Sequence, residues 1–278
     1  MAGEVSAEQA RKILDMLTNG EALENVNTTL ALRLIPLAEE LDDPVLVQRL
    51  LDHAIEVSSD KLESGWADFE ILKLNDATIE EFTELSSKTE NIVDGSPLSA
   101  AIFHHLGLLY LAKDDLENSK LFTNRSLRLR ESTEDEPGII YGLGLLEACC
   151  KRGNLHDEAL VHGTRRLELL MKLGDLEGEM EAMSDVAHTQ ATIGSFDAAK
   201  DLYEQSLKIA NELEEVSGQL VARWGLADLA EINEDYQTAM LHLSDCLHSF
   251  IALGVPAPPQ IRQRIEALTN LEQPKVSK

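Results

Sequence analysis

The sequence predicts an all-α fold in which antiparallel helix pairs stack along the chain as an α-solenoid. The 278 residues are 44% hydrophobic but only 4% aromatic, and the apolar residues are mainly leucine, alanine and isoleucine. Leucine and alanine favour helices, and runs of β-branched residues, which favour strands, are nearly absent. The third observation is a repetition of apolar and small residues at a spacing of forty positions, which is typical of stacked repeats.

Residues 98–254 contain this repetition. A small residue, a leucine eight positions after it and an apolar residue thirteen positions before it recur together. The three sets are Ser119, Ala159, Ala199 and Ala239; Leu127, Leu167, Leu207 and Leu247; and Leu106, Leu146, Val186 and Leu226. The common spacing predicts four repeats, at about 98–137, 138–177, 178–217 and 218–254.

Each repeat is predicted to consist of two antiparallel helices. In the third repeat, apolar residues recur at three- and four-residue spacings on both sides of Gly194-Ser195, which places each set on one helix face. Turn-forming residues also divide the other repeats. These turns are Lys113-Asp114-Asp115, Gly153-Asn154 and Glu234-Asp235. We expect a longer link to join each repeat to the next, and these links contain Gly138, Gly178 and Gly218.

Two segments are similar to the helix signatures of a known repeat. The first helix of the first repeat reads Phe103-x-x-Leu106-Gly107-x-x-Tyr110, and it resembles the first-helix signature of the tetratricopeptide repeat, with Phe at the usual Trp position. The second helix of the third repeat contains Ala199-x-x-x-Tyr203 and resembles the second-helix signature. Because the family's usual period is about 34, the chain is similar to the longer subclass with about forty residues per repeat. The second repeat departs from the signature at Glu147, Cys150 and Gly163.

Both ends of the chain are predicted to be helical outside the clear repeat. Residues 1–97 are expected to form a diverged helical region, with helices near 7–18, 27–41, 44–58, 61–74 and 77–91. Pro36 is expected to kink the second of these helices or to mark its start. Residues 255–278 are expected to form a capping helix, at about 260–271, and a tail. A stack of repeats needs such a cap because its last apolar face would otherwise be exposed.

The charge of the chain excludes two classes of partner. Fifty acidic residues against 24 basic ones give a formal charge of −26, and no cluster of Lys and Arg is available to neutralise phosphates. We therefore expect no binding to nucleic acid and none to an anionic membrane. The charge itself is explained either by solubility, which we favour, or by attraction of a basic partner.

The sequence indicates a cytoplasmic protein. No apolar run is long enough to span a bilayer, and the N-terminal residues lack the pattern of a secretory signal. The three cysteines are Cys149, Cys150 and Cys246, and an odd number with two adjacent members makes a poor disulfide framework.

No pattern of an active site, a cofactor site or a metal site stands out. The sequence has no glycine-rich phosphate loop and no nucleophile elbow. His104 and His105 are adjacent, so on a helix they point about 100° apart. His248 lies off the helix face that His242 and Cys246 share, which disfavours a zinc site there. We therefore predict a protein that is not an enzyme and that has no cofactor and no bound metal.

The resemblance implies that the first helix of each repeat lines a concave groove that binds a partner. The family's groove positions, carried over residue by residue, are His104, Leu108 and Leu111 in the first repeat, Tyr141, Lys151 and Arg152 in the second, Glu181, Ser184 and His188 in the third, and Trp224, Asp228 and Glu231 in the fourth. Trp224 is the strongest candidate because large aromatic residues are favoured interface anchors. The alternative is that Trp224 only packs against the capping helix. Lys151 and Arg152 are suited to bind a carboxylate of the partner.

Three functional hypotheses follow. The first is an interaction scaffold whose groove holds a peptide or a helix of another protein. The second is a regulatory sensor whose superhelix responds to a signalling peptide or a small ligand. The third is a self-assembling protein in which the N-terminal helices pack against another copy, although no sequence feature specifically indicates a homo-oligomer.

Overall fold

A computed structural model describes residues 26–272 together with Lys12, Leu14, Met16 and Leu23. Between residues 28 and 272 the chain forms thirteen α-helices and no strand, which confirms the all-α prediction. Its internal contacts divide the chain into two compact units, residues 1–135 and residues 136–278, which we call the N-terminal unit and the C-terminal unit.

The N-terminal unit contains six helices of known bounds. They are α1 (Thr28–Glu40), α2 (Pro44–Val57), α3 (Lys61–Leu74), α4 (Ile79–Thr89), α5 (Ser96–Ala112) and α6 (Leu116–Ser132). The first four agree with the predicted helices within two residues at either end. Pro36 lies inside α1 rather than at its start. The predicted helix at 7–18 lies, apart from three residues, outside the described part of the chain.

The starts of these helices follow from their capping residues. Asp43 accepts a hydrogen bond from the backbone N–H of Leu46 at 3.0 Å, and Pro44 occupies the first helical position, where its missing N–H is not needed. Thr78 and Glu81 form a reciprocal capping box at the start of α4. In α2 and α4 these side chains satisfy N–H groups of the first turn, so each of the two helices begins at a defined residue.

The C-terminal unit contains seven helices. They are α7 (Glu136–Arg152), α8 (His156–Leu173), α9 (Leu176–Thr192), α10 (Phe196–Glu212), α11 (Val216–Ile232), α12 (Tyr236–Ala252) and α13 (Pro259–Glu272). Helices α7 to α12 form three consecutive pairs that stack on one another. The last helix, α13, buries Ile261 and Leu268 against the final pair. This placement confirms the predicted capping helix.

The small residues that recur every forty positions lie where the helices of a pair approach each other. Ala159, Ala199 and Ala239 in the C-terminal unit have no exposed surface, and neither has Ser119 in the N-terminal unit. The hydroxyl of Ser119 donates a hydrogen bond of 2.7 Å to the carbonyl oxygen of Gly107 on the partner helix. A larger side chain at these positions would push the helices apart, because helix axes are only about 8–10 Å apart at such contacts.

A left-handed residue follows each helix from α5 to α12, at a spacing of twenty positions. Eight such residues, four of them glycine or asparagine, have φ between 55° and 84°. They are Asp114, Glu134, Asn154, Gly174, Gly194, Glu214, Glu234 and Gly254. In each case the next residue donates its N–H to a carbonyl in the last turn of the helix, as in Leu155 to Cys150 at 2.8 Å. These bonds satisfy carbonyl groups that a helix end leaves open.

The prediction of a longer link between repeats is wrong. Gly138, Gly178 and Gly218 lie inside the first turns of α7, α9 and α11, and the links are as short as the turns within a pair. The extra residues lengthen the helices to seventeen or eighteen residues instead. At Gly218 the reason for a glycine is close packing, since an added Cβ would lie 2.3 Å from the sulfur of Met180.

Candidate functional site

A groove lies between α9 and α11 in the C-terminal unit. It encloses about 670 Å³ and is lined by fifteen residues from α9 to α12 and the loop after α12. The lining residues are Met180, Glu181, Ser184, Asp185, His188, Tyr203, Ser217, Gly218, Leu220, Val221, Trp224, Gly225, Asp228, Phe250 and Pro258. On each of the two facing helices the members recur at three- and four-residue spacings, so they belong to one helix face.

The floor of the groove is formed by Tyr203 of α10. The side chain is 4% exposed, and burial raises its pKa to about 12, so it stays a neutral phenol. Its ring lies against the backbone of Gly225, where an added Cβ would be 2.2 Å from the Cζ atom. The glycine therefore lets a buried aromatic ring fill the space between two helices.

Trp224 lies in the middle of the groove and also contacts the capping helix. Its half-buried side chain packs with the apolar cluster that includes Ile261 of α13. The guanidinium carbon of Arg264, also on α13, lies 4.9 Å from the centre of the Trp224 ring. Trp224 therefore both lines the groove and packs against the capping helix.

Arg264 also joins the capping helix to two carboxylates of α11. Its Nη2 atom lies 2.6 Å from Oδ1 of Asp228 and 2.6 Å from Oε1 of Glu231, and its Nε atom lies 3.0 Å from the same oxygen of Glu231. Burial raises the pKa of Asp228, and the bond to Arg264 opposes this rise. Two carboxylates thus share one guanidinium at this end of the groove.

A second cluster of charges lies between α7, α8 and α9. Lys151 donates to Asp185 at 2.7 Å and lies 3.5 Å from Glu147. Arg166 of α8 lies 3.1 Å from Asp185, 3.8 Å from Glu147 and 3.8 Å from Glu181. Glu147 is the buried member, with 2% of its surface exposed.

A smaller hollow of about 350 Å³ adjoins this cluster. Its lining residues are Gly144, Glu147, Ala148, Lys151, Arg152 and Asp185. The predicted pair Lys151 and Arg152 is thus brought to one hollow, but the ammonium of Lys151 is already bonded to Asp185. Tyr141 is 69% exposed and lines neither this hollow nor the groove.

Two charged residues of the second repeat, the buried Glu147 and the partly buried Arg166, replace small residues found elsewhere in the chain. Where Glu147 stands, the other repeats have Gly107, Ala187 and Ala227, and where Arg166 stands they have Ser126, Ser206 and Cys246. Gly163 makes the opposite exchange, since its equivalents are Thr123, Tyr203 and Leu243. An added Cβ at Gly163 would lie 2.9 Å from the carboxyl carbon of Glu147, so the missing side chain makes room for the glutamate.

The three predicted groove residues of the first repeat belong to the N-terminal unit. His104 is largely buried, and burial, followed by Arg130 and His105, lowers its pKa to about 4, so the ring is neutral at physiological pH. His105 packs against the rings of Phe69 and Phe82. Leu108 is 41% exposed, and Leu111 is half-buried.

Neither metal sites nor membrane spans occur among the described residues. Nowhere in that part of the chain do three His, Cys, Asp or Glu side chains come together to hold a metal ion. Likewise, none of its helices combines the length and the apolar character that crossing a membrane requires.

Solved structures of repeat proteins share this fold. A signal transduction ATPase with numerous domains from Pyrococcus horikoshii, which has a tetratricopeptide repeat sensor, superposes with a TM-score of 0.67 at 18% identity over 95% of this chain and 43% of that one. The C-terminal part of a tetratricopeptide-repeat protein from Cytophaga hutchinsonii gives 0.56 at 12% identity, over 93% of this chain and 94% of that one. The chain has a tetratricopeptide-repeat fold. It spans less than half the length of the ATPase.

A third similar structure is a Rap protein in complex with competence and sporulation factor. Its TM-score is 0.61 at 14% identity, and the match covers 88% of this chain and 71% of that one. No protein-family model and no curated protein matches the sequence. The similarity to solved structures, at 12–18% sequence identity, shows the fold alone.

Within this tetratricopeptide-repeat fold, the pKa of Glu147 is strongly perturbed. Burial raises it to about 7, Asp185 acts in the same direction, and Lys151 and Arg166 oppose the rise. The folded protein therefore holds this proton more tightly than the unfolded chain, whose glutamate titrates near 4.5. The resulting stabilisation is fully present below about pH 4.5 and is lost as the pH rises through about 7.

The substitution Glu147→Gln is expected to remove this pH dependence. The free energy of unfolding of the variant, relative to that of the wild type, should increase by roughly 1–3 kcal/mol between pH 4.5 and pH 8. Urea denaturation followed by circular dichroism at several pH values measures the difference. Glu168→Gln, at an exposed position of α8, is the matched control and should show no such trend. A constant difference between Glu147→Gln and wild type would contradict the raised pKa.

Proposed function

We propose that the protein is an interaction module and not an enzyme, and that the groove between α9 and α11 holds a peptide or a helix of a partner protein. The observation that carries this proposal is the combination of an apolar floor with a half-buried tryptophan in one open groove. Solenoid proteins generally use concave surfaces of this kind for binding. Five of the residues expected from the family resemblance line this groove: Glu181, Ser184, His188, Trp224 and Asp228.

The shape and chemistry of the groove support a protein ligand. An amphipathic segment binds by placing side chains at i, i+3 and i+4 into an apolar groove, and Val221, Trp224 and Leu220 offer matching apolar contacts. Tryptophan is among the residues that contribute most to binding energy when a partner covers them. The exposed imidazole of His188 supplies a polar group that can fix the orientation of a bound segment.

A regulatory sensor is the second candidate. The observation in its favour is the size of the groove, because about 670 Å³ lies within the range of small-molecule pockets, roughly 300–1,000 Å³. Phe250 and Pro258 also line one end of it. One similar structure has a tetratricopeptide repeat sensor, and another is a complex with competence and sporulation factor. A small ligand would contact the same residues, so substitutions in the groove test both candidate functions.

Panning the 278-residue chain against a displayed library of random twelve-residue peptides tests the proposal. Selected peptides should lose at least about tenfold in affinity, roughly 1.4 kcal/mol, against Trp224→Ala and against Val221→Glu. Leu241→Glu is the control, because Leu241 is 60% exposed on α12 and does not line the groove. In a Trp66→Phe background Trp224 is the only tryptophan, and its emission should shift when a peptide binds.

The proposal fails if every selected peptide binds wild type and the two groove variants equally. The sensor candidate gains if no peptide binds but a small-molecule library changes the Trp224 emission. Circular dichroism of each variant confirms that its helices are intact.

The proposal includes action in the cytoplasm. It is supported by the cysteines, since Cys149, Cys150 and Cys246 are buried thiols and form no disulfide. Reduced cysteines are usual in cytosolic proteins.

A further inference from the structure

The charges that line the groove indicate what kind of segment it takes. Glu181, Asp185 and Asp228 are the ionisable acids among the fifteen lining residues, and none of the fifteen is Lys or Arg. His188 is the remaining titratable side chain that has a cationic form. A segment that enters the groove therefore meets carboxylates rather than cations.

Two of these three carboxylates already have cationic partners. Asp185 is bonded to Lys151 at 2.7 Å and to Arg166 at 3.1 Å. Asp228 is bonded to Arg264 at 2.6 Å. Both residues therefore have most of their charge balanced within the protein.

Glu181 is different because it retains accepting capacity. The nearest cation is Arg166, at 3.8 Å from Oε2, and the side chain of Glu181 is 60% exposed. An ionised carboxylate has about four acceptor positions, so Glu181 can receive a further charged donor without losing an existing bond. It lines the same groove as Val221 and Trp224.

The surroundings of Glu181 fit the side chain of a lysine or an arginine. Such a side chain places an aliphatic stem on apolar surface and keeps its charged end at a polar site. Val221, which is 54% exposed, offers apolar surface in the same groove as Glu181. The protein contains one example of the same recognition, since the guanidinium of Arg264 lies over Trp224 and bonds to Asp228 and Glu231.

We infer that the groove is specific for a basic protein segment, in which a Lys or Arg bonds to Glu181 and a neighbouring apolar side chain packs against Val221 and Trp224. This inference rests on the proposed function and names the partner class of the same groove. The formal charge of −26 acts in the same direction, because it attracts a basic partner and repels an acidic one.

The displayed twelve-residue library tests the composition of the ligand. Peptides that bind wild type and are lost on Trp224→Ala should be enriched in Lys or Arg next to an aliphatic or aromatic residue. Their affinity should fall on the order of tenfold when NaCl is raised from about 50 to 500 mM, because salt screens exposed charges.

Charge reversal at Glu181 tests the contact itself. Glu181→Lys should weaken a selected peptide by about tenfold or more, and Glu181→Gln should weaken it by a smaller factor. Glu168→Lys makes the same change in charge at an exposed position of α8 outside the groove, and it should change affinity by less than about twofold. Replacing the basic residue of the peptide by Glu should restore binding to Glu181→Lys.

The possible failures separate the two proposals. Some results would overturn the basic-segment inference and leave the groove assignment standing. They are peptides that depend on Trp224 but are not enriched in Lys or Arg, whose affinity does not change with salt, or that lose equal affinity on Glu181→Lys and on Glu168→Lys. If no peptide depends on Trp224, the groove assignment is overturned and the inference with it.

Discussion

The substitution Gly225→Ala is expected to lower the free energy of unfolding by about 1–3 kcal/mol, although alanine is the better helix former. The new Cβ would lie 2.2 Å from Cζ of Tyr203 and within 2.5 Å of both Cε atoms. The Tyr203 ring is packed in a cluster with Ala187, Ala222 and Leu226, so it cannot move aside without losing buried contacts. Urea denaturation followed by circular dichroism measures the change.

Gly144→Ala is the matched control. Gly144 also lies inside a helix, α7, but its added Cβ would meet Arg166 at 3.5 Å, an ordinary contact distance. The added methyl group causes no clash there. Because glycine loses more conformational entropy on folding than alanine, the substitution should raise the free energy of unfolding by about 0.5–1 kcal/mol. Adding Tyr203→Leu to the Gly225→Ala variant should remove the clash and restore part of the lost stability. Leucine fits this position, since Leu243 is its equivalent one repeat later. Equal effects of the two alanines would contradict the packing argument.

The substitution Arg166→Ser is expected to lower the free energy of unfolding by about 2–4 kcal/mol at pH 8. It removes a cation next to Glu147, whose side chain is 3% exposed. Lys151 then remains as the nearest cation, at 3.5 Å. The loss arises because an ionised carboxylate that has lost a partner is costly to keep out of water. At pH 5 the loss should be smaller, because Glu147 is then protonated.

The double variant Glu147→Ala with Arg166→Ser distinguishes this cause from a general packing defect. It recreates the pair Ala187 and Ser206 of the next repeat, and it leaves no unbalanced buried charge. The double variant should therefore be more stable at pH 8 than Arg166→Ser alone, and the double-mutant cycle should give a coupling of about 1–3 kcal/mol. Additive losses would show that the two ions do not act on each other.

The helical fold could be predicted because its determinants are local in the sequence. Residues such as Ala159, Ala199 and Ala239 recur with the period of the helix pair, and each occupies the closest point between two helices. The prediction of long links between repeats is wrong because glycine occurs both in turns and at close contacts inside helices. Gly178 and Gly218 serve close packing inside helices, while the turns take left-handed Glu, Asn or Asp as readily as Gly.

The site could be predicted only in part, because its contacts join distant segments. The resemblance to the tetratricopeptide repeat implies groove positions at Ser184 and His188 on α9 and at Trp224 and Asp228 on α11, and these four residues line one groove. The bonds from Arg264 to α11 and from Arg166 to α9 join residues 19 to 36 positions apart in the sequence, so no local sequence pattern predicts them. A signal for the buried ions existed, because Glu147 and Arg166 stand where every other repeat has a small residue.

The even spacing of the left-handed turns limits how such a chain can change its length. From α5 to α12 each helix together with its turn uses twenty residues, so duplicating or removing one whole pair, such as α9 with α10, would keep the side chains of the later repeats on their original faces. Deleting one residue within a helix would rotate all following side chains by about 100° and turn buried positions toward water. We therefore expect this architecture to gain or lose length in steps of forty residues, and to accept single-residue insertions or deletions only in the turns.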